Sequence, residues 1–548
     1  MREHIVEFRH SSSLNFVTCL LLLGLSSLVA CSAFPPAMPE ESASATLPTL
    51  EPTAIAVSPT STSHPPTVTP RPSATSMPTL AQTPTPMRTA TPTPVPLPEV
   101  CLRQRFADDV QACHAASSYD IELVVDPAST RVTGHQTIAY TNAEDEPLDT
   151  VYLRLLPSSQ AYGGTMTVTH LLRSGGPITA QSELQGSALR VPLEPPLEPG
   201  QMLKLTMDFT ADVPTSGAFG HALFSYIRGV MALPTVYPLI PVHDDEGWNI
   251  EIAKEHGDDI FADVSIFNVE IKAPPEFTLI ATGACTNPEE GRWTCDAAPM
   301  RDFTLILGEN YERAARDVEG VVVNSYFYPQ HAPGGGRALE VAVDAVEAFS
   351  ECFGPYPYTE LDVVETPNYL GGMEYSSLVV VEDTLYPGVA GVEWLTAHEV
   401  AHQWWTIVVG NDQIDEPWLD EALTQYSTML YYEKTYGKQR ADGILYGVFV
   451  QTYESLKRMG RDMPAGLPAN AYPPDLYWDI VYDKGALYFH ALRERVGDEA
   501  FFEVLQTYYI RHRYQIATPD SFLGTVEEIT GDPHLDLFET WIRGHSEQ

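Results

Sequence analysis

The chain has 548 residues, 44% of them hydrophobic and 10% aromatic, too long for one core and rich enough for two. Its formal net charge of -42 excludes a nucleic-acid or anionic-lipid surface, because both need patches of Lys and Arg. The balance describes a soluble, self-repelling acidic surface.

Arg2 and Arg9 precede the apolar run LNFVTCLLLLGLSSLVA, which ends at Cys31. A charged start, an apolar core and a small-residue exit mark an export signal over residues 1–30. The run is short for a membrane-spanning helix. LVAC at 28–31 resembles the bacterial lipoprotein signal, which implies acylation of Cys31 and a lipid anchor on the outer face of the cell membrane or envelope. Plain secretion is the alternative. Residues 31–99 are dominated by Pro, Thr and Ser, as in TPTPMRTATPTP, and predict an extended linker without a core.

Residues 100–315 read as a β-rich domain. YDIELVVD and TVYLRLLP alternate apolar and polar side chains, and FNVEIKAP, FTLIATG and DFTLILG are further strands broken by Pro and Gly. Cys101/Cys113 and Cys285/Cys295 are locally spaced pairs, and an exported protein can keep disulfides. ATGAC and WTC look like the two strands of a hairpin, where a Cys285–Cys295 bond is plausible. Cys352 is left over as a buried residue. Helical periodicity starts at GGRALEVAVDAVEAFSECFG and is expected to dominate residues 316–548. The fold class is therefore α+β.

The chemistry gathers in TAHEVAHQWW, residues 396–405. Positions i and i+4 share a helix face, so His398 and His402 aim their imidazoles at one point with Glu399 alongside. Neutral imidazoles are good zinc ligands, and the glutamate is suited to take a proton from the attacking water. A catalytic zinc needs a third protein ligand. DEPWLDEALTQYSTMLYYEKTYG reads as a second helix opened by Pro417 and closed by Gly437, and 18 residues separate its Glu421 from His402. An antiparallel helix pair would return that carboxylate to the histidines. The two tryptophans after the motif, Trp404 and Trp405, read as packing.

This spacing resembles the glutamate-zincins, the group that includes thermolysin and the aminopeptidase N family. Two further stretches are similar to the second of these. GGMEY at 371–375 resembles the family's Gly-x-Met-Glu-Asn signature, with Gly372 where Ala is usual and Tyr375 where Asn is usual. YDKG at 482–485 resembles its Tyr-x-Lys-Gly motif. LDEAL departs from the family's usual second-helix pattern at Asp420 and Ala422.

The resemblance implies a β-rich N-terminal domain followed by a thermolysin-like, mainly helical catalytic domain. It implies one Zn2+ per chain held by His398, His402 and Glu421, with Glu399 as base. Tyr482 would donate to the oxyanion, and Glu374, flanked by Gly371, Gly372 and Met373, would hold the free α-amine of a peptide. A long C-terminal helical-repeat domain found in many relatives is missing from the sequence, which leaves the length of the substrate open. A second amine-holding group from the N-terminal domain is not identifiable. The expected function is removal of N-terminal residues from peptides. The rivals are a thermolysin-like endopeptidase, which lacks the Gly-x-Met-Glu stretch, and a non-enzymatic surface lipoprotein.

Overall fold

Alternation in the first strands builds the largest sheet. The structure, a computed structural model, describes residues 101–544 apart from 110–115, 217–222, 252–255, 259 and 369–370. The signal segment, Cys31 and the linker lie outside the described residues, as does Cys113. In β1 (Ser117–Asp126), Tyr119, Ile121, Leu123 and Val125 turn inward while Asp120, Glu122 and Asp126 face water. Each inward Leu or Val contributes about 1.5–3 kcal/mol over an exposed one. The register is therefore set by burial, since a one-residue slip would expose the whole row.

β1 pairs antiparallel with β2 (Arg131–Thr141), and β2 pairs with β4 (Met202–Asp212), whose other neighbour is β3 (Thr165–Arg173). On its other side β1 runs parallel to β5 (Ser265–Lys272). That strand leads on to β7 (Arg292–Met300) and β6 (Ala284–Glu289), and Gly176–Pro177 completes eight strands. Cys285 and Cys295 stand opposite each other in the β6–β7 hairpin and form a disulfide, with Cα atoms 4.1 Å apart. Cys101 is a free, buried thiol whose Sγ donates to the carbonyl of Asp296. Cys352 is also free and buried.

The catalytic region holds more strand than its helical periodicity predicts. β8 (Glu312–Val318) and β9 (Val321–Phe327) open a five-stranded sheet completed by β10 (Glu360–Thr366), β11 (Gly372–Tyr375) and β12 (Leu378–Glu382), in the order β8-β9-β10-β12-β11. β10 and β12 are buried on both faces and show short apolar runs, so no alternation marks them, whereas β8 is an exposed, charged edge. Against the sheet lies α1 (Ala332–Cys352), which buries an Ala/Val/Leu stripe. α2 (Ala390–Ala401), α3 (Glu421–Tyr436) and α4 (Gly485–Val496) follow.

Two predicted helix limits shift. Gly391 and Gly410 bracket the stretch that the sequence marks as helical, but α2 ends before His402 and the chain then turns. α3 opens at Glu421, not Pro417, because residues 417–420 are spent on the turn that brings the carboxylate back.

Arg301, nearly fully buried, ties the β-rich region to this turn. Its guanidinium donates to the carbonyls of Ile407 at 2.9 Å, Ala262 at 2.9 Å and Gln515 at 2.8 Å. A Cβ on Gly410 would lie 2.4 Å from the guanidinium carbon, so only glycine admits the arginine there.

Candidate active site

The helical period brings His398 and His402 to one face of α2, and the tight return places Glu421 opposite them. His398 Nε2 and His402 Nε2 are 3.3 Å apart, and Glu421 Oε2 lies 3.5 and 3.3 Å from them. All three residues are buried. Ligands about 2.0–2.2 Å from a tetrahedral zinc stand about 3.3 Å from one another, so the three atoms already outline one face of such a site. Glu421 Oε2 itself makes no well-aligned hydrogen bond. It is an orphaned buried atom of the kind a metal would satisfy.

The opposite ring nitrogens are held by hydroxyls. His402 Nδ1 is 2.9 Å from Thr406 Oγ1 and 3.2 Å from Thr424 Oγ1, and His398 Nδ1 is 3.4 Å from Thr428 Oγ1. Such partners fix ring orientation and turn Nε2 toward the shared centre. Asp420 takes part through Thr406, whose hydroxyl donates to its carboxylate at 3.3 Å.

The charge balance also calls for a cation. Glu374, Glu399, Glu421, Asp258 and Asp420 crowd around two imidazoles. Burial opposes a charge on His402, but Glu374 and Glu421 outweigh it and hold its pKa well above the usual value. Burial likewise opposes the Glu421 charge, yet His402 and His398 bring its pKa down to about 2. Burial lifts Glu399 to about 8. Donor types, spacing and charge all fit zinc.

β11 carries Glu374 to the same point, and three clamps fix where it stands. Gln403, directly after His402, donates to the carbonyl of Tyr375 at 2.9 Å and accepts from the amide of Ser377 at 3.0 Å. Asp302 accepts from the amide of Ser376 at 2.9 Å. Glu374 Oε1 ends 4.0 Å from His402 Nδ1. A Cβ on Gly372 would lie 2.3 Å from Glu399 Oε1, so this glycine lets the strand lie flat against the glutamate. Gly371 donates its amide to Glu382 at 3.1 Å, and Met373 lines the cleft beside Glu374.

Tyr482 sits in a wide helical turn, Trp478–Lys484, that runs into α4. Its ring stacks 5.8 Å from that of His398, and its hydroxyl donates to Glu421 Oε1 at 2.5 Å. It therefore stands at the centre, spent on the carboxylate rather than free for an oxyanion. Trp404 and Trp405 are buried, donating to the carbonyl of Gly354 at 2.8 Å and to Ser427 Oγ at 3.0 Å.

Asp258 escapes the sequence reading. Its carboxylate lies within 4.8 Å of those of Glu374 and Asp420. The HGDD stretch that carries it matches no motif, and only tertiary folding delivers it. His256 anchors that stretch, its Nε2 standing 2.6 Å from the carbonyl of Ala469. The resulting cleft, about 180 Å³, also exposes Trp394, Leu395 and Trp478.

This arrangement, a helix with two histidines and a base, a returning glutamate and a flanking sheet edge, brings the donor set for one zinc ion beside a carboxylate base. Residues 337–541 match the model of the Peptidase family M1 domain. Aminopeptidase M1-B of Oryza sativa subsp. japonica is 30% identical over 244 residues, covering 41% of this chain and 27% of its own. Aminopeptidase N of Streptomyces lividans is 24% identical over 299 residues, 50% of this chain and 35% of its own. The chain thus spans about a third or less of the length of these curated relatives. In fold it is similar to the M1 zinc metallopeptidase from Deinococcus radiodurans, with TM-score 0.58 and 22% identity over 79% of this chain and 95% of that one. By these matches residues 337–541 are similar to the Peptidase family M1 domain, and the fold of the chain is similar to that of M1 zinc metallopeptidases.

Proposed function

We propose that this protein is a zinc aminopeptidase that removes the first residue from peptides with a free N-terminus. The observation that carries the reading is the pair of carboxylates, buried Glu374 and half-buried Asp258, that line the cleft beside His402, with Asp420 buried behind them. A cationic α-amine docked there gains charge-assisted hydrogen bonds, whereas the neutral backbone of an internal segment gains nothing. That difference favours an aminopeptidase over an endopeptidase. The curated relatives named above are aminopeptidases, and the Deinococcus radiodurans enzyme has been solved bound to a Tyr-Ser-Ala substrate.

His398, His402 and Glu421 would hold the zinc, which when bound supplies a Lewis acid for the scissile carbonyl and acidifies the attacking water. Glu399 accepts a proton as water attacks and passes it to the departing amine. Its burial favours holding that proton, and the flat contact with Gly372 fixes its orientation. The Tyr482 hydroxyl, released from Glu421, is placed to donate to the oxyanion. Glu374 and Asp258 hold the amine so that the first peptide bond lies at the centre.

Charge-assisted bonds contribute about 1.5–3 kcal/mol. Glu374→Ala should therefore cut kcat/KM on aminoacyl substrates by about 10- to 150-fold. Asp258→Asn should cut it about tenfold, being one of two carboxylates that share the charge. An N-acetylated peptide should be a poor substrate for the parent, and its rate should not change in either variant. Equal cleavage of acetylated and free peptides by the parent would make the protein an endopeptidase.

We also propose export and anchoring through an acylated Cys31, supported by the order of charged, apolar and small residues before it. Among the described residues no helix is long and apolar enough to cross a membrane. Cys31→Ala should move the protein from the membrane fraction to the soluble one and abolish labelling by a fatty-acid analogue. Retention of the unlabelled variant on membranes would mean that the signal segment remains as the anchor.

A further inference from the structure

The cleft has a polarity that can be traced along α2. Trp394, His398 and His402 are spaced i, i+4, i+8 on one helix face, each step rising about 6 Å. β11 runs beside them in the same direction. The Gly371 Cα faces Leu395, with a Cβ placed there 3.5 Å from the leucine side chain. Gly372 faces Glu399, and the Tyr375 carbonyl is bound by Gln403. Glu374 and Asp258 thus mark the His402 end as the place of the substrate amine. The rest of a peptide must leave over His398, toward Trp394.

Two tryptophans line the cleft, Trp394 at that end by its place on α2 and Trp478 over His398 by way of Tyr482. Trp394 is backed by Tyr432, with ring centroids 5.8 Å apart, and by Phe449 at 6.4 Å, and it lines the cleft. Trp478 leans on Tyr482 at 4.4 Å, and Tyr482 in turn stacks on His398. Trp478 remains 48% exposed while lining the cleft, so part of its ring is open to a bound group there. Its neighbour in the cleft, Asp483, is already occupied by the Gln425 amide at 2.8 Å.

We infer that Trp394 and Trp478 form the subsite for the side chain of the second substrate residue, and that they select large apolar or aromatic groups there. The inference rests on the aminopeptidase reading, which sets the amine at Glu374. The first residue would then sit between Glu374 and the zinc ligands, at the His402 end. The protein would then favour peptides by the residue just beyond the bond it cuts.

The test uses the full zinc-loaded protein and the free peptides Ala-Ala-Ala, Ala-Phe-Ala and Phe-Ala-Ala, with the released first residue as readout. Filling an apolar pocket is worth about tenfold or more in kcat/KM, so the parent should prefer Ala-Phe-Ala over Ala-Ala-Ala by that factor. Trp478→Ala should remove most of the preference, lowering Ala-Phe-Ala about tenfold while Ala-Ala-Ala stays within about twofold. Trp394→Ala should act in the same direction. The exposed Trp478 carries the test alone if the half-buried Trp394 variant folds poorly. Equal loss on both peptides would mean a structural role and overturn the inference, as would a preference that tracks the first residue in Phe-Ala-Ala. Either result leaves the aminopeptidase reading standing. Failure to release a first residue from any free peptide would overturn both.

Discussion

The double variant His398→Ala/His402→Ala should fold, retain less than about 0.1 zinc per chain and show no measurable hydrolysis. Structural zinc sites contribute about 10–16 kcal/mol of apparent binding free energy, and losing two of three ligands removes most of it. Folding should survive because α2 is held by its other face, where Val392, Ala397, Val400 and Ala401 are fully buried. The loss has a second consequence at Glu421. That carboxylate is kept ionised by the two imidazoles against the cost of burial. Without them burial wins, so the remaining ligand takes up a proton and offers no charge to a metal. Metal analysis of the purified variant decides the matter, with the parent expected at about one zinc. About one zinc retained by the variant would show that the metal is held elsewhere.

Glu399→Gln should leave zinc content and fold unchanged and lower kcat by about 10²- to 10⁴-fold, the scale of a positioned general acid–base group. The amide fills the slot against Gly372 that the carboxylate occupies, so little packing is lost. What disappears is the ability to accept and return a proton, which leaves KM nearly unchanged while kcat collapses. Steady-state kinetics on an aminoacyl substrate, beside metal analysis, separates this outcome from a damaged metal site. A near-native kcat with zinc present would remove Glu399 from the mechanism and leave Asp258 or Asp420 to be tested in its place.

Much of the strand content was legible because one-faced burial writes itself as alternation, as in Tyr119, Ile121, Leu123 and Val125. The sheet of the catalytic region was not, because β10 and β12 are covered on both faces and show only short apolar runs. Helix limits slipped for a related reason. Local propensity continues past His402 and back to Pro417, but the backbone there turns to let Glu421 meet the histidines.

The sequence by itself determined the spacing within single stretches: His398, Glu399 and His402 along one helical run, and the return distance to Glu421. Those relations come from helix and strand periods, which any stretch of chain carries with it. The tertiary structure alone decided which remote segments share the cleft. Asp258 arrives on a loop anchored by Ala469, Gln403 pins β11 to the helix, Arg301 binds three distant carbonyls, and Trp394 and Trp478 face one opening. No local period encodes such meetings, because they depend on how sheets and helices bury their apolar faces against one another.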